Sequence, residues 1–399
     1  MKVSQSFLCA ASLAAISVCF STTASATYCV GINAVRPQCK TQESAYYRDV
    51  FFLGGQYIPS GTSFIMSDQL YVEKLTPLNG VDKPYPLVFI SAGIPSGSVW
   101  LNTPDNRKGW ATYFLDQGYQ VYIIDITANG RSGQEDLSKY PLRIGSTVSI
   151  HEDGFTAPEI VNPFPQSQGH NQWPGNGTKG DPIFDAFFAA TVPLTSNKTA
   201  LELSMRAGGC YLLGLIGESY LIAHSNGASY SALMSDECPD LVRATLNLEP
   251  GNIPFQSLIG NSTTPAVGRT TARPWGLTET PLTYDPPVTN VTTDLVTVEV
   301  GVDTPALRSC FIQSNTTGGG IHTLPQIAKV PYVMFTASAS PHITYDHCFI
   351  SYLSQAGVTD VTWIKFGDLG LEGNGHFFFL EENNMELVKV VEAEIEKRS

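Results

Sequence analysis

Short, nearly continuous apolar runs recur along this chain, rich in β-branched and aromatic residues. They fall at residues 86–91 (PLVFIS), 120–126 (QVYIIDI), 220–224, 244–248, 332–337 and 362–366. Such runs suit strands covered on both faces. Residues 47–53 and 69–75 read as two earlier strands forming an antiparallel start. Amphipathic helical stretches follow the strands at about 109–117, 199–215, 226–235, 347–355 and 384–397. This alternation predicts an α/β protein, with an eight-stranded, mostly parallel sheet and helices on both faces. We find no internal repeat, heptad run or low-complexity tract.

The pattern breaks twice, at about 127–195 and about 250–326, and the first of these stretches is rich in Gly, Pro, Asn and Gln. Both are too long for simple connections. They read as cap-like insertions into one catalytic domain spanning 27–399. The first 26 residues read as an export signal. Lys2 supplies the positive end, residues 7–20 the apolar run, and Ala24-Ser25-Ala26 the small-x-small cleavage pattern. A 14-residue run spans about 21 Å as a helix, short of the roughly 30 Å bilayer core. A secreted, extracellular product is therefore expected, with no membrane partner.

Composition narrows the function. Apolar residues make up 43% and charged residues 15%, a folded rather than disordered balance. A formal charge of −13 argues against nucleic acid, which demands clustered Lys and Arg. Beyond the signal, six cysteines remain: Cys29, Cys39, Cys210, Cys238, Cys310 and Cys348. An even count in an exported chain points to disulfides. Proximity pairs Cys29 with Cys39, Cys210 with Cys238, and Cys310 with Cys348. None has zinc-ligand spacing, so no metal is expected. Five sequons, at Asn176, Asn197, Asn261, Asn290 and Asn315, mark surface loops of a glycoprotein.

The chemistry centres on Ala223-His224-Ser225-Asn226-Gly227, after a buried strand and before a helix. This is a nucleophile elbow, with Ala in place of the first Gly of G-x-S-x-G. Small residues two before and two after the serine let strand and helix approach closely. The helix start aims free N–H groups at the site, which makes the Asn226 amide half of an oxyanion hole. The second donor is expected at Gly93 or Ile94, after the third strand, because Pro95 has no N–H. Serine needs a base. Of seven histidines, His376 stands in a glycine-rich loop, Gly373-Asn374-Gly375-His376, after the last strand, where this fold carries its base.

His224 reads as packing, His151, His170 and His322 as exposed insertion residues, and His342 and His347 as capping or surface groups. Two carboxylates compete for the orienting role. Glu249 closes the strand next to the nucleophile strand, and Asp346 follows the penultimate strand; position alone does not separate them. Asp368 reads as a turn residue and Arg131 as a structural ion-pair partner. Trp173, Trp275 and Tyr284 either line an apolar pocket or pack the cap.

These residues resemble a family of secreted fungal and bacterial α/β-hydrolase esterases whose serine motif reads H-S-x-G. The resemblance extends over Gly55-Gln56-Tyr57-Ile58, residues 66–73, 103–110 and 118–122, His170-Asn171-Gln172-Trp173-Pro174-Gly175, Leu248-Glu249-Pro250, residues 273–278 and Gly373-Asn374-Gly375-His376. It implies the α/β-hydrolase fold and a glutamate acid after the strand that follows the nucleophile, hence Glu249 rather than Asp346. Acyl transfer by this triad takes a small-molecule ester and needs no cofactor; the resemblance itself names no physiological substrate. The segment Gly93-Ile94-Pro95-Ser96-Gly97 departs from the more glycine-rich oxyanion loop expected of the family. A lactonase or peptidase would use the same triad, and a catalytically silent binding protein would share the fold.

Overall fold

The computed structural model describes residues 29–92, 94–133, 135–251, 253–261, 264–317 and 319–399. The export signal expected over residues 1–26, the candidate donor Gly93 and the last two residues of the Asn261 sequon lie outside the described residues.

Two long strands open the fold: β1 (Tyr46–Ser60) and β2 (Ser63–Pro77) pair antiparallel from Tyr46↔Pro77 to Ser60↔Ser63. β3 (Leu87–Ile90) and β4 (Val121–Asp125) run parallel, separated by a helix over Trp110–Asp116. Between β4 and the nucleophile strand lie several short helices and a two-residue ladder, β5 (Leu142–Arg143) with β6 (Leu194–Thr195). The chain then runs through the helix Lys198–Ile216, β7 (Ser219–His224), the helix Gly227–Glu237 and β8 (Val242–Leu248). Two small hairpins follow: β9 (Gln256–Asn261) with β10 (Thr264–Thr271), and β11 (Thr297–Val300) with β12 (Cys310–Gln313). β13 (Tyr332–Thr336), the helix Asp346–Gln355, β14 (Val361–Lys365) and the helix Asn384–Glu396 complete the chain.

The main sheet has eight strands in the order β1-β2-β4-β3-β7-β8-β13-β14. All neighbours from β4 to β14 are parallel, and β2 joins β4 antiparallel. The core strands are apolar throughout because alternate residues feed two separate cores. Val88, Ile90 and Ile124 pack on one face with Met205, Leu221 and Leu233. Leu87, Phe89 and Ile123 pack on the other with Trp100, Trp110, Ile222 and Val388. That is the period-two consequence of a sheet buried on both sides. The long helix Lys198–Ile216 begins at Asn197, whose side-chain oxygen accepts from the Ala200 amide and so caps the helix.

The three expected disulfides are present: Cys29–Cys39, Cys210–Cys238 and Cys310–Cys348. Among the described residues no helix is long and apolar enough to cross a membrane.

Candidate active site

β7 is buried along its whole length and ends in a sharp turn at Ser225, whose φ is +52°. That left-handed value is uncommon for a non-glycine residue and marks a strained turn of the sort functional sites retain. The turn is packed from behind. A Cβ added at Gly227 would lie 2.8 Å from the Ile90 carbonyl oxygen, so glycine is required where the helix Gly227–Glu237 crosses β3. The Ser225 amide donates to Leu248 O at 3.0 Å, and the Gly251 amide donates to Ser225 O at 2.9 Å. The elbow is thus clamped to the end of β8. Among the described residues the Asn226 N–H has no acceptor, as befits the start of a helix.

Glu249 is the residue immediately beyond β8, at φ +50° and fully buried. Its carboxylate is held on three sides. The Ala337 amide donates to Oε1 at 2.8 Å, the Ser340 hydroxyl donates to Oε2 at 2.6 Å, and His376 Nδ1 lies 2.6 Å from the same Oε2. Burial and the nearby Asp346 carboxylate push its pKa up, while the Ser340 and Ala337 donors oppose that rise. Burial, reinforced by the neighbouring His224 and His342, holds the His376 imidazole well below its ordinary pKa. The ring therefore rests unprotonated, the state a base requires. In this arrangement the Ser225 hydroxyl carries no side-chain hydrogen bond among the described residues. The residue before the serine touches the histidine loop: His224 Nε2 lies 3.1 Å from the His376 carbonyl oxygen, and the two rings are 4.5 Å apart.

The loop after β3 is held by the end of β4. Asp125 accepts from the Gly97 amide at 2.7 Å and pairs with the Arg131 guanidinium, which also reaches Glu73. Ile94 sits half-buried in that loop. The end of β3, the elbow after β7 and the His376–Glu249 pair beyond β8 thus lie at the same edge of the sheet.

Comparison with known proteins agrees with this fold. No protein-family model matches the chain. A probable secreted lipase, phiG, from a fungus (Fungal sp., strain ATCC 74256) is 38% identical over 351 residues, covering 87% of this chain and 89% of that one. The chain belongs to the family of secreted α/β-hydrolase lipases and esterases. Among solved structures, a bacterial esterase determined at atomic resolution superposes with a TM-score of 0.58 at 18% identity, covering 90% of this chain and 99% of that one. The shared fold is the α/β-hydrolase fold.

In this member of the α/β-hydrolase lipases and esterases, the second carboxylate does not touch His376. Asp346 instead accepts from His342 Nδ1 at 2.9 Å and from the Thr336 hydroxyl at 2.6 Å. Asp368, read as a turn residue, is exposed on the short 3-10 helix Phe366–Leu369 and paired with Lys365. His224 is buried packing, as its position suggested.

Other histidines depart from expectation. His151, His170 and His322, read as exposed insertion residues, are all buried: His151 among Phe155, Phe187 and Phe188, His322 beside Tyr284 and Pro286, and His170 against Glu381. His342, read as a capping or surface group, is buried as well, with its ring stacked on that of His376. Trp173 packs against Phe187, and Trp275 against Tyr284.

Sequence reasoning missed three groups around this candidate site: Ser340, Glu381 and Phe155. Ser340 and the Ala337 amide seat Glu249. Glu381 accepts from the Gly375 amide and from Asn374 Nδ2, tying down the loop of His376. His170 bridges Glu381 and Glu159 across 2.9 Å and 2.7 Å. Phe155 lies against the His376 ring at 5.1 Å. The traces of this network in the sequence are the His170-Asn171-Gln172-Trp173 and Gly373-Asn374-Gly375-His376 stretches carried by the resemblance.

Proposed function

We propose that this protein is a secreted serine hydrolase that cleaves carboxylic esters through an acyl-enzyme on Ser225. The observation that carries the reading is the buried 2.6 Å contact between His376 and Glu249, built beside a serine held at positive φ on a strand-turn-helix elbow. In the proposed reaction His376 Nε2 takes the Ser225 proton as Oγ bonds to the ester carbonyl carbon. Glu249 holds the Nδ1–H tautomer and stabilises the imidazolium that forms. The negative oxygen rests on the Asn226 amide and on an amide of the loop after β3, at Ile94 or Gly93. The imidazolium returns its proton to the departing alcohol. Water then repeats the sequence on the acyl-enzyme, releasing the acid and restoring serine.

Kinship with a probable secreted lipase supports an ester as substrate and export as destination. The three disulfides suit an oxidising extracellular setting. The proposed partner is a small ester, with no cofactor in the chemistry. The test is covalent labelling of wild type and Ser225→Ala by a fluorophosphonate, followed by hydrolysis of p-nitrophenyl esters of graded chain length. Wild type labels and turns over at least one ester, and Ser225→Ala does neither. A folded wild type that is inert in both assays refutes the proposal.

A further inference from the structure

Next to the proposed triad stands a second buried histidine–carboxylate pair that the mechanism above does not use. The rings of His342 and His376 are parallel, 3° apart in plane with centroids 4.8 Å apart. His342 Nδ1 is bonded to Asp346 one helical turn on, and both residues are buried. Asp346 is itself fixed from the sheet: Thr336 donates to it, and Trp363 Nε1 donates to the Thr336 hydroxyl at 2.9 Å. The two pairs share one more atom. Ser340 Oγ donates to Glu249 and accepts from the His342 amide at 3.3 Å.

We propose that the His342–Asp346 pair is a positioning element for acyl transfer, holding the His376 ring in its working plane. This rests on the triad reading above. An imidazole linked to the backbone through a single carbon tilts unless its faces are packed. Here one flat ring lies parallel to it, with Phe155 and His224 also in contact. The contact from His342 Nδ1 to Asp346 at 2.9 Å fixes the plane of the His342 ring in turn. A base held in its working plane meets the serine proton without reorientation, which is how positioning lowers a barrier.

A metal reading of the same cluster fails on geometry. Donor atoms of Glu249, His342 and His376 lie within 4.8 Å of one another. The in-plane lone pairs of two parallel rings do not converge on one ion, and each Nδ1 already faces a carboxylate. The titratable groups around His342 are Asp346 and Tyr345 beside it in sequence, His376 on the adjoining loop, Glu249 across Ser340, and His224 at the end of β7.

The test uses the full-length secreted protein and any p-nitrophenyl ester that it hydrolyses, comparing His342→Ala, His342→Phe and Ser225→Ala with wild type. His342→Ala is expected to lower kcat about tenfold to a hundredfold with KM little changed. His342→Phe, which keeps a flat ring, recovers most of that loss. In both variants the acid limb of kcat/KM moves to higher pH, because a neighbour that disfavours the His376 cation has gone. Wild-type kcat and an unmoved acid limb in both variants overturn the proposal. So does a His342→Phe no faster than His342→Ala with an unmoved limb, which reveals packing alone. If His342→Ala does not fold by circular dichroism, the acid limb and kcat of His342→Phe decide. Undiminished hydrolysis by Ser225→Ala removes the triad reading itself, a failure distinct from the others.

Discussion

His376 and Glu249 stand 127 residues apart in the chain, yet the imidazole Nδ1 and the carboxylate Oε2 meet at 2.6 Å, with almost no solvent on either side chain. Glu249 reaches that point because it is the first residue past β8 and turns out of the strand at positive φ. His376 arrives on a loop pinned by Glu381 and His224. A contact built from two such constrained backbones is the natural place to test the proposed site.

Replacing Glu249 by Gln should keep the shape of the pair but remove the charge that fixes the imidazole tautomer. We expect kcat to fall on the order of 10⁴-fold in Glu249→Gln. Asp346→Asn should cost far less, because Asp346 touches His342 and not His376. Steady-state hydrolysis of a p-nitrophenyl ester by the two variants checks this. Equal losses would reopen the choice of acid.

Burial holds the His376 pKa well below its usual 6.5. The base is active when unprotonated, so the acid limb of kcat/KM should lie below that value, and activity should persist in mildly acidic medium. A pH–rate profile of the free enzyme reads the limb directly. An inflection at or above 6.5 would contradict the burial argument.

His170 behaves oppositely. Burial works against its charge, but Glu159 and Glu381 outweigh burial and push its pKa up to about 9. A histidine whose folded pKa is raised contributes stability that is complete below its unfolded value near 6.5 and is lost as pH rises through about 9. His170→Ala should therefore lower the melting temperature clearly at pH 6 and less at pH 10. Melts of both proteins at the two pH values test it; an equal gap at each would mean that the tie is not ionic.

His151 is wholly buried against Phe155, Phe187 and Phe188, and neither ring nitrogen has a hydrogen-bond partner among the described residues. Burying polar atoms unpaired costs free energy. His151→Leu, close in volume and without those atoms, should stabilise the fold by about 1–2 kcal/mol. Urea unfolding would show a higher midpoint; a lower one would mean that the imidazole finds a compensating partner.

Much of this architecture was legible in the amino-acid order, because local rules govern it. Both-sided burial makes a central parallel strand largely apolar, so the six parallel strands of the main sheet could be read directly, as could the small residues Ala223 and Gly227 around Ser225. Disulfide partners near in sequence were legible for a similar reason, since short loops close at low entropic cost. What only the folded chain decided was which distant polar groups meet. Glu249 and Asp346 look alike as sequence, each a carboxylate after a core strand. They diverge because the stretch beyond β13 presents the Ala337 amide and Ser340 hydroxyl to one and delivers His342 to the other. His151 and His170 were read as exposed because insertion sequence is polar on average, whereas burial is set by what folds over a residue. Hydrogen bonds and electrostatics act across space, and no spacing along the chain encodes them.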